Sequence, residues 1–103
     1  MTENDLRDKV SKWLKKQPDV WFLKVAGNRF QRPGVPDFLL CVRGAFGATE
    51  LKAPSGKGKV TELQKLELDR IQRMGGNSYI CNDLHCVKAA VEDMRSTILV
   101  TKK

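Results

Sequence analysis

Two apolar runs, Asp37 to Val42 and Ala45 to Lys52, are separated only by the dipeptide Arg43-Gly44. Short runs rich in aliphatic residues, joined by a break that ends in glycine, indicate two antiparallel β-strands connected by a tight turn. With 103 residues the chain has room for one compact domain with a single modest core. We therefore expect residues 1–103 to form one domain that contains this hairpin.

Three amphipathic helices are predicted around the hairpin by apolar residues at helical spacing. They run from about Glu3 to Lys16, from about Thr61 to Met74, and onward from Asp83, whose side chain can cap a helix. Their inner stripes are expected at Leu6, Val10, Trp13 and Leu14 in the first helix, Leu63, Leu66, Ile71 and Met74 in the second, and Leu84, Val87, Val91 and Met94 in the third.

Further strands are predicted at Val20 to Ala26, at Ser78 to Cys81 and, as a final edge strand, at Thr97 to Thr101. The order of elements is then α-β-β-β-α-β-α-(β). This order is typical of an α/β domain in which helices pack on a mixed β-sheet.

The charged residues of the hairpin are the candidates for chemistry. Side chains alternate between the two faces of a strand, so Glu50 and Lys52 share one face while Leu51 points to the other. A turn on Arg43-Gly44 places Asp37 opposite Glu50, and a turn one residue later places it opposite Lys52. Both registers bring the two acids and the lysine onto one face of the sheet.

Two carboxylates that lie this close repel each other, and a divalent cation bound by both removes the repulsion. Oxygen ligands suit Mg²⁺ or Mn²⁺. Such a cation can polarise a phosphoryl oxygen, and Lys52 beside it can neutralise charge that develops during phosphodiester hydrolysis. The alternative is a ladder of cross-strand salt bridges on an exposed face, in which Glu50 and Lys52 have no catalytic role.

The excess of basic residues favours a polyanionic partner. The formal net charge is +7, while the hydrophobic content of 41% and charged content of 30% are ordinary for a globular protein. Nucleic acid is the first candidate and an anionic membrane surface the second. We expect no membrane association, because no strongly basic amphipathic helix and no apolar stretch of about 20 residues is present.

Cys41, Cys81 and Cys86 form an odd set that no disulfide framework can use completely. Cys81, His85 and Cys86 lie close together, but the spacing of a closed four-ligand zinc site is absent. We therefore expect reduced, partly buried thiols.

Three segments carry a resemblance to a known family. Gly34-Val35-Pro36-Asp37, Glu50-Leu51-Lys52-Ala53 and Thr61-Glu62-Leu63-Gln64 resemble the motifs of the VRR-Nuc family, the virus-type replication-repair nucleases of the PD-(D/E)XK superfamily. The similarity extends over nearly the whole chain. It implies a restriction-endonuclease-like fold and an Mg²⁺- or Mn²⁺-dependent endonuclease that hydrolyses DNA.

The resemblance also implies roles for individual residues. Asp37 and Glu50 would bind the metal, Lys52 would be the catalytic lysine, and Gln64 would support the site. Glu3 matches a further acid of the family and would be another metal ligand. Two alternatives remain open: Glu3 can serve as a favourable charge at a helix N-terminus, and Gln64 can form a capping box with Thr61.

Basic residues lie before and after the acids along the chain and are predicted to contact DNA phosphates. They are Arg29, Arg32, Lys57 and Lys59. Phosphate contacts position a duplex without reading its bases. Because no helix-turn-helix, zinc finger or aromatic stacking platform is recognisable, we expect branched DNA to be recognised by its shape.

Small members of the family are stand-alone phage or prophage domains that look like homodimeric Holliday-junction resolvases. The resemblance thus implies a homodimer encoded by a phage or prophage in a bacterial host, since two symmetric active sites suit a four-way junction. The acidic and polar N-terminus, Met1 to Asp5, does not resemble a secretory signal, so a cytoplasmic location is expected. The longer eukaryotic relatives imply an alternative substrate, a 5′ flap or a nick. A third hypothesis is a non-catalytic DNA-binding accessory protein that keeps the nuclease fold.

Overall fold

The elements follow in the order α-β-β-β-α-β-α, as the sequence predicts. They are α1 (Glu3–Lys15), β1 (Val20–Lys24), β2 (Phe38–Val42), β3 (Ala45–Leu51), α2 (Glu62–Arg73), β4 (Asn77–Cys81) and α3 (Leu84–Arg95). The structure is a computed structural model and describes residues 1–25, 32–55 and 59–97. The final strand predicted at Thr97 to Thr101 lies outside the described residues, apart from Thr97 itself, which is not in a strand.

The predicted hairpin forms, and its turn consists of Arg43 and Gly44 alone, because Val42 pairs with Ala45. Both turn residues have positive φ angles, 52° and 89°. Such a turn matches the right-handed twist of the flanking strands. The side chain of Arg43 donates a hydrogen bond of 2.9 Å from its Nε to Asp19 Oδ2. The first of the two predicted registers is therefore the correct one.

The four strands form one mixed sheet in the order β1-β2-β3-β4. The first three strands pair antiparallel, and β4 pairs parallel with β3. One face of the sheet packs against α1 and α3 and makes the hydrophobic core with them. The largest fully buried side chains of this core are Leu6, Val10, Leu14, Phe38, Leu40, Val42, Leu51, Val87, Val91 and Met94.

Helix α2 contacts β3 and β4, but its inner stripe is not the predicted one. Leu63, Leu66 and Met74 are 50%, 43% and 85% exposed, whereas Glu67 and Leu68 are buried. The expectation was wrong because the helix is rotated so that Gln64 and Glu67 find polar partners, Glu50 and Arg32. Apolar residues occur at helical spacing on both faces of this helix, so periodicity does not distinguish them.

The expectation of reduced thiols is also wrong for two of the three cysteines, because Cys81 and Cys86 form a disulfide. Strand β4 ends at Cys81, and Asp83 caps α3 by accepting a hydrogen bond from the Cys86 N–H at 2.7 Å. This tight connection brings the two Cα atoms to 5.5 Å, a separation that a disulfide spans. Cys41 is free and half-buried.

Within the described ranges, no helix has the length and the apolar character that crossing a bilayer requires.

An ion-pair cluster ties the chain after α1 to the end of α3. Arg95 donates to both carboxylate oxygens of Asp19, at 2.8 and 2.9 Å, and Arg43 donates to one of them. The hydrogen bonds from Arg95, and to a smaller extent the one from Arg43, lower the pKa of Asp19 from 3.8 to about 2 against an opposing effect of burial. The folded state therefore favours the ionised carboxylate.

We expect Asp19→Asn to lower the urea midpoint at neutral pH and to flatten the acid dependence of stability. A depressed pKa contributes stability that is present above about pH 4 and is lost as the pH falls through about 2. Urea unfolding at pH 7 and pH 2 measures whether the gap between wild type and variant closes. Asp69→Asn, which removes an exposed helical pair with Arg73, is the control and should show a much smaller gap. An Asp19→Asn gap that is equal at both pH values would contradict this account.

Candidate active site

Asp37 and Glu50 lie together on the face of the sheet opposite the core. Asp37 is one residue before β2, and the hairpin register continued by one residue places it opposite Glu50. Both acids are buried, with 9% and 2% of their surface exposed. Neighbouring Leu51 points into the core and is fully buried. The alternation of the strand thus places an apolar residue in the core and an acid on the other face.

Asp37 is held by hydrogen bonds on both of its carboxylate oxygens. Its Oδ2 accepts from the Leu51 backbone N–H at 2.7 Å. Its Oδ1 accepts two hydrogen bonds from the guanidinium of Arg7, at 2.6 and 3.1 Å. The backbone carbonyl of Asp37 accepts from the Val25 N–H at 2.8 Å. Contacts from the end of β1, from β3 and from α1 together fix the position of Asp37.

Only one of the two carboxylate oxygens of Glu50 accepts a hydrogen bond from a described residue. Its Oε1 accepts a hydrogen bond of 3.0 Å from Gln64 Nε2, whereas its Oε2 is buried and has no hydrogen-bond partner in the part of the chain that the structure describes. Burial, and then the adjacent carboxyl of Asp37, raise the pKa of Glu50 to about 8, against an opposing effect of Lys52. A buried acid beside another acid is unfavourable in its ionised form.

Gln64 makes the hydrogen bonds that both of its predicted roles require, those of a capping box with Thr61 and a contact with Glu50. Its Oε1 accepts from the Thr61 backbone N–H at 2.9 Å, while the Gln64 N–H donates to Thr61 Oγ1 at 3.1 Å, which completes the capping box. The Nε2 of the same amide donates to Glu50. Because the carbonyl oxygen serves the cap and the NH₂ group serves the acid, the two roles do not compete.

Lys52 follows β3 directly and is half-buried. Its backbone N–H donates to the Cys81 carbonyl at 2.9 Å, which extends the pairing of β3 with β4 by one residue. Its ammonium group is close enough to Glu50 to lower the pKa of that carboxyl. Among residues 1–25, 32–55 and 59–97 it has no ion-pair partner within 4.0 Å.

Glu3 is the first residue of α1, and Arg7 links it to the acid pair by hydrogen bonds. Its Oε1 lies 3.0 Å from Arg7 NH2, the same nitrogen that donates to Asp37. Arg7 was not identified from the sequence. Its signal is visible there: it lies four residues after Glu3 and next to the buried Leu6, at the edge of the inner stripe of α1.

The structure describes two of the four residues that were predicted to contact DNA, Arg32 and Lys59. Arg32 is 69% exposed and donates to Glu67 Oε2 at 2.9 Å, which holds its guanidinium against α2. Lys59 is exposed. Arg29 and Lys57 lie outside the described residues. A role for any of the four in DNA binding stays a prediction.

Asp37 and Glu50 offer the kind of donor atoms that a divalent cation such as Mg²⁺ prefers. No group of three or more His, Cys, Asp or Glu side chains is arranged to hold a metal within the described ranges. Asp37 and Glu50 do supply two adjacent carboxylates, and Glu50 Oε2 is a buried acceptor without a donor. An oxygen acceptor of this kind beside a second carboxylate fits Mg²⁺ or Mn²⁺, with water completing the coordination.

Gly34 brings the segment before Asp37 against the start of α2. Its φ of +88° is unfavourable for other residues, and a Cβ added to it would lie 2.7 Å from the backbone of Leu63. Because that Cβ would meet backbone atoms, the contact can be relieved only by moving the loop away from α2. Gly34 thereby helps to set the distance between the loop that leads to Asp37 and the helix that carries Gln64.

We expect Gly34→Ala to destabilise the domain by about 2 to 4 kcal/mol, through backbone strain and overlap together. Gly75→Ala is the matched control, since its φ is +91° but a Cβ there would meet nothing within 4 Å. That variant should lose only about 1 kcal/mol. Chemical denaturation of both variants measures the difference, and equal losses would show that the contact with α2 is unimportant.

Solved structures share this fold, and two of them show the extent of the likeness. One, named "VRR_NUC domain protein", aligns with a TM-score of 0.74 and 18% sequence identity over 89% of this chain and 86% of that chain. Another, named "VRR_NUC domain", aligns with a TM-score of 0.69 and 21% identity over 89% of this chain and 97% of that chain. No protein-family model and no curated protein matches the sequence.

These alignments define the class of the domain by its fold. The chain has the restriction-endonuclease-like α/β fold of VRR-Nuc domains, and its described residues form a mixed four-stranded sheet and three helices. The fold expected from the three sequence motifs is thereby confirmed. At identities of 18% and 21% the likeness concerns the fold alone.

Proposed function

We propose that this chain is a divalent-metal-dependent endodeoxyribonuclease of the VRR-Nuc family, in the PD-(D/E)XK superfamily. The observation that carries the proposal is the acid pair of Asp37 and Glu50. Both carboxylates are buried, and one oxygen of Glu50 has no donor among the described residues. A stable fold gains nothing from an unpaired buried acid, so such a group is a candidate for function.

The salt-bridge alternative is not supported by the geometry. A ladder of cross-strand pairs requires exposed acids in contact with lysines, whereas Glu50 is buried and makes no ion pair with Lys52 within 4.0 Å. The non-catalytic accessory protein is likewise disfavoured. Carboxylates that face phosphates weaken DNA binding, so a protein that only binds DNA would do better without them.

Each residue of the site would have its own role in phosphodiester hydrolysis. Asp37 and Glu50 would hold Mg²⁺ or Mn²⁺, with Glu3 as a further ligand if its carboxylate leaves Arg7. When bound, the cation supplies charge that polarises a phosphoryl oxygen and acidifies water. Gln64 fixes the orientation of Glu50 through the hydrogen bond to its Oε1. Lys52 would neutralise the negative charge that develops on the phosphoryl oxygens as the bond breaks.

We propose branched DNA as the substrate and a four-way junction as its preferred form, cut by a homodimer. The net charge of +7 supports a nucleic-acid partner, and the chain has no motif that reads base sequence. A two-fold dimer presents two active sites to the two opposing strands of a junction. Arg32 and Lys59, together with Arg29 and Lys57, would contact the phosphates. A 5′ flap or a nick is the alternative substrate.

The test compares cleavage of a synthetic four-way junction, a 5′ flap and a linear duplex in Mg²⁺, in Mn²⁺ and in EDTA. We expect paired incisions on opposing strands of the junction in either metal and none in EDTA. Brisk flap cleavage without paired junction incision would replace the proposed substrate and keep the activity. Absence of metal-dependent cleavage on all three DNAs would overturn the proposed function. Sedimentation at the assay concentration measures whether the active species is a dimer.

A further inference from the structure

The guanidinium of Arg7 contacts two carboxylates of the proposed metal site, those of Asp37 and Glu3. Its Nε and NH2 both donate to Asp37 Oδ1, at 3.1 and 2.6 Å, and NH2 also lies 3.0 Å from Glu3 Oε1. Since Asp37 Oδ2 accepts from the Leu51 N–H, both oxygens of Asp37 are engaged. A divalent cation that approaches Asp37 therefore meets a carboxylate whose Oδ1 is already hydrogen-bonded to the positively charged guanidinium of Arg7.

We propose that Arg7 is a built-in competitor of the divalent cation, and that it releases Asp37 Oδ1 when the cation binds. This inference rests on the proposed function, because it takes Asp37 as a metal ligand. A guanidinium and a divalent cation that share one carboxylate oxygen repel each other, and the repulsion is strong in a partly buried site. In the metal-free protein Arg7 neutralises Asp37 and Glu3, which would otherwise lie uncompensated beside Glu50.

The surroundings of Arg7 suit an exchange of partners better than a permanent structural contact. Its side chain is 31% exposed, so the guanidinium can move without disturbing the core. Its other acceptors, Glu3 Oε1 and Asn4 Oδ1 at 3.0 and 3.2 Å, belong to the same helix. After losing Asp37 it still has Asn4 Oδ1 as an acceptor, even if Glu3 turns to the divalent cation, so its release does not leave the guanidinium without a hydrogen bond.

The experiment measures Mn²⁺ binding directly, by electron paramagnetic resonance of the free ion, for the wild type and Arg7→Gln. Arg7→Gln should bind Mn²⁺ at least about tenfold more tightly, because the competing charge is gone. Its metal-free Tm should fall, and saturating Mn²⁺ should raise its Tm by more than it raises that of the wild type. Arg7→Lys keeps a positive charge at the site and should bind Mn²⁺ nearly as the wild type does.

Arg73→Gln is the control, since it makes the same change in net charge at an exposed helical pair with Asp69. It lies about 14 Å along α2 from Gln64, and its Mn²⁺ affinity should equal that of the wild type. Unchanged or weaker Mn²⁺ binding by Arg7→Gln, with normal binding by the wild type, would overturn the inference and leave the proposed function standing. A wild type that binds no Mn²⁺ would overturn both.

Discussion

Glu50→Gln is expected to abolish DNA cleavage and at the same time to stabilise the metal-free protein. The carboxylate that would hold the cation is lost, so cleavage should fall by at least about 10³-fold. The fold should gain, because a buried acid beside Asp37 is replaced by a neutral side chain of the same shape. Its new NH₂ group can donate to the neighbouring carboxylate where Glu50 Oε2 has no donor among the described residues.

The gain in stability should be about 1 to 2 kcal/mol near pH 8, or roughly 5 to 15 °C in Tm for a domain of this size. Differential scanning calorimetry in EDTA measures it beside a cleavage assay in Mg²⁺. Glu62→Gln is the control, since it removes an exposed carboxylate whose partner is Lys65; neither Tm nor cleavage should change appreciably. A Glu50→Gln protein that is less stable than the wild type would mean that Glu50 is part of the structural framework.

Lys52→Ala is expected to reduce the cleavage rate by about 10²- to 10³-fold while DNA binding changes by less than about tenfold. The lysine lies beside Glu50 and has no ion pair among the described residues, so its removal breaks no salt bridge there. Its charge would act on the phosphoryl group during bond breaking, whereas binding is shared among many cations. The loss should therefore appear in the rate and only slightly in affinity.

Single-turnover cleavage at saturating DNA, with affinity measured separately in Ca²⁺ or EDTA, distinguishes the two effects. Lys12→Ala removes an exposed lysine of α1 and serves as the control for loss of one positive charge. Both variants should bind DNA similarly, and only Lys52→Ala should lose its rate. If the two variants cleave equally fast, Lys52 has no part in the chemistry.

The local patterns of the sequence predicted much of this fold correctly. The stripes of α1 and α3 are buried as expected, at Leu6, Val10 and Leu14 and at Val87, Val91 and Met94. The hairpin has one of the two predicted turns, and its register brings Asp37 opposite Glu50. These features follow from the period of a helix, the alternation of a strand and the length of a turn, which are properties of neighbouring residues.

The second helix shows where such patterns stop being sufficient. Its sequence offers two stripes at helical spacing, and the leucines of one of them, Leu63 and Leu66, are about half exposed. The face of α2 that packs on the sheet is selected by partners that are remote in sequence. Glu50 accepts a hydrogen bond from Gln64, and Glu67 accepts one from Arg32. The hydrogen-bond requirement of polar groups at the sheet outweighs the burial of those leucines.

The sequence by itself determined the order of the described elements and limited the hairpin to two registers, each of which places Asp37, Glu50 and Lys52 on one face of the sheet. Tertiary structure decided which oxygens of those acids are already engaged, and it placed Arg7 of α1 on Asp37, thirty residues away. The difference has a physical reason. Periodicity and turn geometry act over a few residues, whereas a contact between α1 and the start of β2 depends on how the helix packs on the assembled sheet.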